Sequence, residues 1–330
     1  MQTFLMERVG LTQVVFLDLV QERIRRVEER MLEQANQHHL DLRAALRHLV
    51  DSGGKRIRPA VALLTGEMLS GDEERLITLS AAIEMLHTAT LVHDDLIDGA
   101  LLRRGIPTIN AQWSPGATVL TGDFIFAAAA KLAAETDSVQ VMRLFAETLA
   151  VMVNGEITQM FASHGVVDRE NYYQRIYAKT ASMFVLATGA AAYLSPVEDT
   201  VAQAVRKYGY QVGMAFQIVD DILDFVGSES AVGKPVGSDL RQGLVTLPAI
   251  YYAEAHPDDA NMQQVVQGNF TGEHIDRLVQ DIRSSNAISQ AMQEARDFVQ
   301  RGIQALAPLP KGQAQDALIA LANYIVERDI

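Results

Sequence analysis

The sequence predicts an all-α protein, a single-domain bundle of long helices, on three observations. Apolar residues recur at three- and four-residue spacing through most of the chain, the repeat that lines one helical face. Stretches of alternating polarity, which would make half-buried strands, are nearly absent. Glycine and proline, 22 and 9 of the 330 residues, gather in clusters that separate helical segments. With 48% hydrophobic residues the chain can supply a sizeable core, and one domain over 1–330 is the expectation.

In chain order, the clusters at 53–59, 105–116, 189–196, 227–243 and 307–312 read as loops or helix ends. Pro59 suits a first helical position, where a missing N–H costs no hydrogen bond. Segments 76–99, 117–135, 139–163 and 202–226 carry Ala, Leu, Val and Met around most of their circumference, the pattern of central bundle helices. No low-complexity segment or domain-dividing linker interrupts them.

With 28 basic against 41 acidic side chains, the formal charge is -13, which disfavours a general grip on nucleic acid or anionic lipid. The absence of cysteine excludes disulfides, thiolate zinc sites and cysteine nucleophiles. Met1 to Gly10 carries Glu7 and Arg8, and the apolar run that follows is broken by Asp18. Neither a signal peptide nor a spanning segment is expected, and the cytoplasm is the expected location.

Two of the long apolar helices each carry Asp-Asp-x-x-Asp: Asp94, Asp95 and Asp98, then Asp220, Asp221 and Asp224. Residues 94 and 98 lie one turn apart, so their carboxylates project from the same face, and the second cluster repeats this. Like charges at that spacing destabilise a helix, and burying them costs several kcal/mol, on the order of what a bound cation could offset. Carboxylate oxygens without thiolate or paired-histidine company select hard cations, and Mg²⁺ typically uses one or two carboxylates plus substrate phosphates.

Basic residues supply the counterpart. Lys55, Arg56 and Arg58 follow a glycine pair, Arg103 and Arg104 follow the first acidic cluster, and Lys179 and Lys234 stand singly. Guanidinium forks and mobile ammonium groups suit phosphate oxygens, so the set describes a site for metal-bridged diphosphate. His87 is two turns before Asp94 on the same face, and Gln217 is one turn before the second cluster. His93 points to another face and has no assigned role.

An ordered series of short strings carries a family resemblance. It comprises Gly-Gly-Lys-Arg-Ile-Arg-Pro at 53–59, His-Asp-Asp-Leu-Ile-Asp at 93–98, Arg-Arg-Gly-Ile-Pro-Thr at 103–108 and Gly-Asp-Phe at 122–124. Gly-Glu-Ile-Thr-Gln at 155–159, Lys-Thr-Ala at 179–181, Phe-Gln-Ile-Val-Asp-Asp-Ile-Leu-Asp at 216–224 and Gly-Lys-Pro-Val-Gly-Ser-Asp-Leu at 233–240 follow. In this series the chain resembles the all-trans polyprenyl diphosphate synthases. The resemblance implies the isoprenoid-synthase helical fold with a deep central cavity, a homodimer, and three Mg²⁺ ions at the cavity mouth.

It further implies Asp94, Asp98 and Asp220 as direct metal ligands, with Asp95, Asp221 and Asp224 acting through metal or its waters. Arg103, Lys179 and Lys234 would grip an allylic diphosphate; Lys55, Arg58, His87 and Arg104, with Arg56, would hold isopentenyl diphosphate. Thr180, Gln217 and Gln159 would present oxygens to the developing allylic cation. A peripheral membrane contact during product release fits an oily product. One position departs from the pattern: the family often has lysine where this chain has Leu244, and Arg241 is the nearest candidate to compensate.

The implied chemistry ionises the allylic C–O bond and joins the cation to isopentenyl diphosphate; no strong protein base is required. Terpene cyclases and head-to-head synthases are rival enzymes, but they generally lack the Gly-Gly-Lys-Arg string. A noncatalytic helical subunit is the rival outside enzymes, and the intact acidic clusters argue against it. Product length should be set about one turn below Asp94, where Ala89 and Thr90 stand in place of the aromatic residue typical of short-chain relatives. Leu86, Met85 and Ile83 come next, with Phe124, Phe126 and Ala127–Ala130 on the neighbouring helix, so a medium- or long-chain product is expected.

Overall fold

The computed structural model describes residues 16–103, 105–161, 165–227 and 236–328. The start of the chain, Arg104 and Lys234 therefore lie outside the described residues. Helices dominate, as expected, and among the described residues the sheet is a single two-residue ladder that pairs Leu102–Arg103 (β1) with Ile106–Pro107 (β2). The chain divides into two compact units. Met1–Thr148, Met183–Arg206 and Pro308–Leu321 form the first; Leu149–Ser182, Lys207–Ala307 and Ala322–Ile330 form the second.

The first unit contains α1 (Gln21–Glu33), α2 (Leu40–Asp51), α3 (Ile57–Met68), α4 (Glu73–Ile97), the β1–β2 hairpin, α5 (Ile109–Gln112), α6 (Pro115–Ala134) and the beginning of α7 (Val139–Phe161). Its centre is α4, which packs against α1, α3 and α6 and is buried almost all round from Leu76 to Ala89. Asp72 caps α4 by accepting the Arg75 N–H at 2.9 Å, and Ser114 caps α6 with Pro115 directly after it. Both helices are long and apolar enough to cross a membrane, yet the apolar window of α4 is 78% buried inside the protein. The α6 window is 44% buried, and Val119 and Leu120 lie on its exposed side.

Small residues set how closely these helices approach. A Cβ on Gly122 of α6 would sit 2.2 Å from the His93 ring of α4, so the histidine without a role in the sequence packs where the glycine makes room. Pro59 is the third residue of α3 rather than its first. The shift costs nothing, because none of the first four N–H groups of a helix has an intrahelical partner. Gly189, expected in a loop, lies inside α9 (Ser182–Tyr193), where a Cβ would stand 2.9 Å from Arg206 Cγ and 3.0 Å from Leu144 Cδ2.

The second unit holds the remainder of α7, then α8 (Arg169–Ile176), which runs through a π-helical turn at Tyr177–Ala181 toward α9. It continues with most of α10 (Asp199–Val226), α11 (Ser238–Arg241), α12 (Leu247–Ala255), α13 (Ala260–Val266), α14 (Glu273–Ser284), α15 (Ala287–Leu306) and the end of α16 (Gln313–Glu327). A polar clasp ties α8, α12 and α15: Tyr251 donates to Glu294 at 2.6 Å, Arg169 approaches Glu294 at 3.6 Å, and Arg169 also pairs with Glu254.

Gly165 closes this unit's backbone beside Gly243. It has φ +75°, donates its N–H to the Gly243 carbonyl at 3.0 Å, and would place a Cβ 2.3 Å from the Val265 carbonyl oxygen. Left-handed strain and overpacking together predict that Gly165→Ala costs about 2–4 kcal/mol. Calorimetry should find a clearly lowered Tm, whereas Gly116→Ala, with nothing within 4 Å, should leave the Tm near wild type.

Candidate active site

In the first unit, α4 carries the first acidic cluster to its C-terminal end, with Asp98 as the C-cap. Asp98 is exposed and Asp94 half-buried one turn earlier. Asp95 is only 5% exposed, and Arg103 neutralises it: Nη2 and Nε donate to Oδ1 at 2.8 and 2.9 Å. The tight turn at Gly105, φ +77°, folds β1 and β2 into the hairpin that carries Arg103. Arg103, expected on a substrate diphosphate, stands beside the cluster with its side chain 40% exposed.

Two other expected partners are brought together. Arg58 Nη1 lies 3.2 Å from His87 Nε2, and its guanidinium stands 5.5 Å from the centre of the Phe184 ring. Lys55 is exposed on the loop that precedes α3. Arg56 is corrected from a substrate-facing cation to a structural one: its side chain is 9% exposed and donates to Glu28 at 2.8 Å, Glu84 at 2.9 Å and the Val50 carbonyl at 2.8 Å. Glu84 is itself buried, so burial of the two charges side by side fixes Arg56 inward.

Ala89 is fully buried, as are Leu86, Met85 and Ile83 along the same helix, and Thr90 donates its hydroxyl to the His87 carbonyl at 2.7 Å. On α6, Phe124 meets the His38 ring edge-on at 4.8 Å and Phe126 lies 5.3 Å from His93.

In the second unit, the second cluster lies on α10. Asp221 is buried; Tyr172 donates to its Oδ2 at 2.7 Å and Gln217 Nε2 to its Oδ1 at 2.8 Å. Thr180 in turn donates to Gln217 Oε1 at 2.6 Å, so the amide is held at both ends. Burial, and next the charge of Asp239, pushes the Asp221 carboxyl well above the usual carboxylate range, while the hydrogen bonds from Gln217 and Tyr172 act the other way. Asp224 accepts from Ser238 N at 3.1 Å, Ser238 Oγ at 2.7 Å and Asp239 N at 3.2 Å, which fixes the segment leading to Leu244. Asp220 is half-buried and pairs with Arg328 at 2.7 Å.

Lys179 and Thr180 sit on the π-helical turn. Such single turns widen a helix by one residue and recur at functional sites. Lys179 Nζ lies 3.2 Å from Glu156 Oε1, a residue of the Gly155–Gln159 string. Gln159 and Leu244 line one cavity of about 280 Å³ with Ala178, Asn154 and Arg175. Arg241, the nearest candidate to compensate for Leu244, is engaged with Asp276 at 2.7 Å and the Val236 carbonyl at 3.1 Å. The cation that borders this cavity is Arg175, whose Nη2 donates to the Val245 carbonyl at 2.8 Å.

Tyr172, Arg175 and Arg328 carry no signal in the sequence that singles them out, and Glu156 lies in the 155–159 string without an assigned role. Tyr172 and Asp221 are 49 residues apart, and no periodicity pairs them. Among the described residues, no three imidazole or carboxylate groups converge as a ready-made metal cage. Hard oxygen donors offered one or two at a time are the donor set Mg²⁺ takes when phosphate oxygens complete its shell.

An all-helical fold with two aspartate-rich helix faces and adjoining lysine and arginine side chains defines the class of enzymes that handle isoprenoid diphosphates with divalent metal. The family model described as "Polyprenyl synthetase" matches residues 39–282, and the chain belongs to that family of prenyltransferases. It is 37% identical over 305 residues to the heptaprenyl diphosphate synthase component 2 of Bacillus subtilis (strain 168), covering 92% of this chain and 87% of the relative. It is 35% identical over 286 residues to the octaprenyl diphosphate synthase of Haemophilus influenzae, covering 86% and 87%. A crystal structure of the Caulobacter crescentus CB15 polyprenyl synthase, complexed with calcium and isoprenyl diphosphate, superposes with a TM-score of 0.89 at 32% identity over 96% of this chain and 98% of that one.

Removing the Tyr172 hydroxyl leaves the buried Asp221 carboxylate short of a donor, which costs about 1–3 kcal/mol. Tyr172→Phe is therefore expected to lower the urea midpoint with an unchanged slope.

Proposed function

We propose that this chain condenses isopentenyl diphosphate head to tail with an allylic diphosphate, giving a medium- or long-chain all-trans polyprenyl diphosphate and releasing diphosphate. What carries the reading is the pair of aspartate clusters, each supported by its own protein partners, in a chain similar to heptaprenyl and octaprenyl diphosphate synthases over most of its length.

Asp94, Asp98 and Asp220 would hold magnesium, three ions per site, with Asp95, Asp221 and Asp224 shaping the helix faces behind them. Bound magnesium supplies positive charge against the diphosphate oxygens. Lys179, Arg103 and Lys234 orient the allylic diphosphate, and Lys55, Arg58, His87 and Arg104 grip isopentenyl diphosphate. The allylic C–O bond breaks and its electron pair leaves with diphosphate. The C3–C4 double bond of isopentenyl diphosphate attacks the allylic carbon, and a C2 proton passes to the released diphosphate. Thr180 and Gln217 hold their oxygens beside the developing cation. Buried apolar neighbours, Val92 beside the first cluster and Ile218 and Ile222 beside the second, would help keep water from it.

The growing chain would descend past Ala89 and Thr90. On α7, Val153, Ile157, Met160 and Phe161 form an exposed apolar stripe at helical spacing, with Phe161 84% exposed. This supports association with a second copy of the chain in a homodimer. The name of the B. subtilis relative, a "component 2", supports a second reading in which another polypeptide joins it.

Incubation with isopentenyl diphosphate, an allylic primer and Mg²⁺, followed by mass spectrometry, should give products longer than geranylgeranyl diphosphate; products ending at or below that length would overturn the chain-length reading. Asp94→Ala and Asp220→Ala should each lower turnover by orders of magnitude with unchanged helical circular dichroism, and chelation should abolish it. Near-normal rates at saturating Mg²⁺ in either variant would remove the metal assignment. Ala89→Phe should yield an active enzyme with shorter products; a merely destabilised protein would make Ala89 a packing residue. Light scattering should find twice the chain mass, and activity that appears only with a second polypeptide would favour the other reading.

A further inference from the structure

Arg328 stands at the end of α16, more than one hundred residues beyond the second acidic cluster, and its place is built rather than incidental. The residue is 7% exposed. Nη2 forms an ion pair with Asp220 Oδ1 at 2.7 Å and donates to the Phe216 carbonyl at 2.8 Å, while the guanidinium lies 4.2 Å above the centre of the Phe216 ring. Phe216 is one turn before Asp220 on α10, so a single arginine clasps the helix at two successive levels. Its Nε is buried and, among the described residues, has no hydrogen-bond partner.

Asp220 keeps 41% of its side chain exposed while one of its oxygens is fixed. A carboxylate held by one oxygen loses rotamer freedom before any cation arrives and presents a defined direction for coordination. Groups that hydrogen-bond to metal-ligating carboxylates set affinity in this way. Arg328 also returns positive charge to a helix face crowded with aspartates, without supplying a metal ligand.

We propose that Arg328 is a positioning residue for the second aspartate cluster, orienting Asp220 and thereby setting how tightly divalent cation binds there. This rests on the reading of Asp220 as a metal ligand. It differs from competition, in which arginine and cation would exclude one another and loss of the arginine would tighten binding.

The test uses the full-length chain, Mn²⁺ with inorganic diphosphate, and electron paramagnetic resonance to count free Mn²⁺. Sites lost in Asp220→Asn define the Asp220 contribution. Arg328→Gln is expected to weaken those sites ~10–100-fold. Arg328→Lys, which keeps the charge but cannot serve Asp220 and the Phe216 carbonyl through one planar fork, should fall between. In turnover assays the Mg²⁺ concentration for half-maximal rate should rise by a similar factor while kcat at saturation changes less. If Arg328→Gln does not fold, Arg328→Met, which keeps an apolar stem over Phe216, is read the same way. Unchanged or tighter Mn²⁺ binding in the arginine variants, with the sites still lost in Asp220→Asn, would overturn the positioning role alone. Unaltered Mn²⁺ binding in Asp220→Asn would overturn the metal assignment of Asp220 and the positioning role with it.

Discussion

The hydrogen bonds that Tyr172 and Gln217 donate to Asp221 hold a carboxylate inside a helix that is otherwise apolar. Without donors, the charge would cost several kcal/mol to bury or would have to be neutralised. Meeting that demand shapes much of the second unit. It places α8 so that Tyr172 arrives with its hydroxyl aimed at α10, and it fixes the Gln217 amide so that Thr180 can reach the other end. The neighbouring aspartates follow the same logic, one as the anchor of the segment after Gly237 and one against Arg328.

The first unit solves a similar problem with different groups. Asp95 is buried but has a guanidinium fork across two oxygens, supplied by a hairpin so short that its turn glycine and its arginine are nearly adjacent. A second buried pairing, Arg56 with Glu28 and Glu84, locks the loop that carries Lys55 and leads into α3, where Arg58 stands. Arg56 adopts a left-handed backbone, φ 44°, which a non-glycine residue tolerates only when its surroundings insist. Thus a cation that reads in the sequence like its two neighbours has a different task, holding them in place.

That difference marks the limit of what could be read from the chain. The long helices were legible because α4, α6, α7 and α10 repeat their apolar residues at helical spacing, and predicted and observed ends differ by about one turn or less. The acidic clusters were legible because a local i,i+4 pattern carries its own geometry. The partners were not: Tyr172, Arg175 and Arg328 reach their contacts through packing between distant segments. Gly189 misled because glycine marks a loop when its backbone turns and a close contact when its neighbour is bulky, and the sequence looks the same in either case. Arg241 was the nearest basic residue to Leu244 along the chain, but its guanidinium is engaged by Asp276, 35 residues away.

The π-helical turn at Tyr177–Ala181 makes this stretch sensitive to residue count more than to residue type. It accommodates one residue more than an α-helical path between α8 and α9 would hold. Excising any one of its five residues would let ordinary i,i+4 pairing resume and would remove the wide turn that aims the side chains within it. Lys179 and Thr180 would then turn away from Glu156 and Gln217 even if both survived the deletion. Substitutions in this turn can be absorbed one side chain at a time, whereas a change of length cannot, so natural variation here should be confined to exchange at constant spacing.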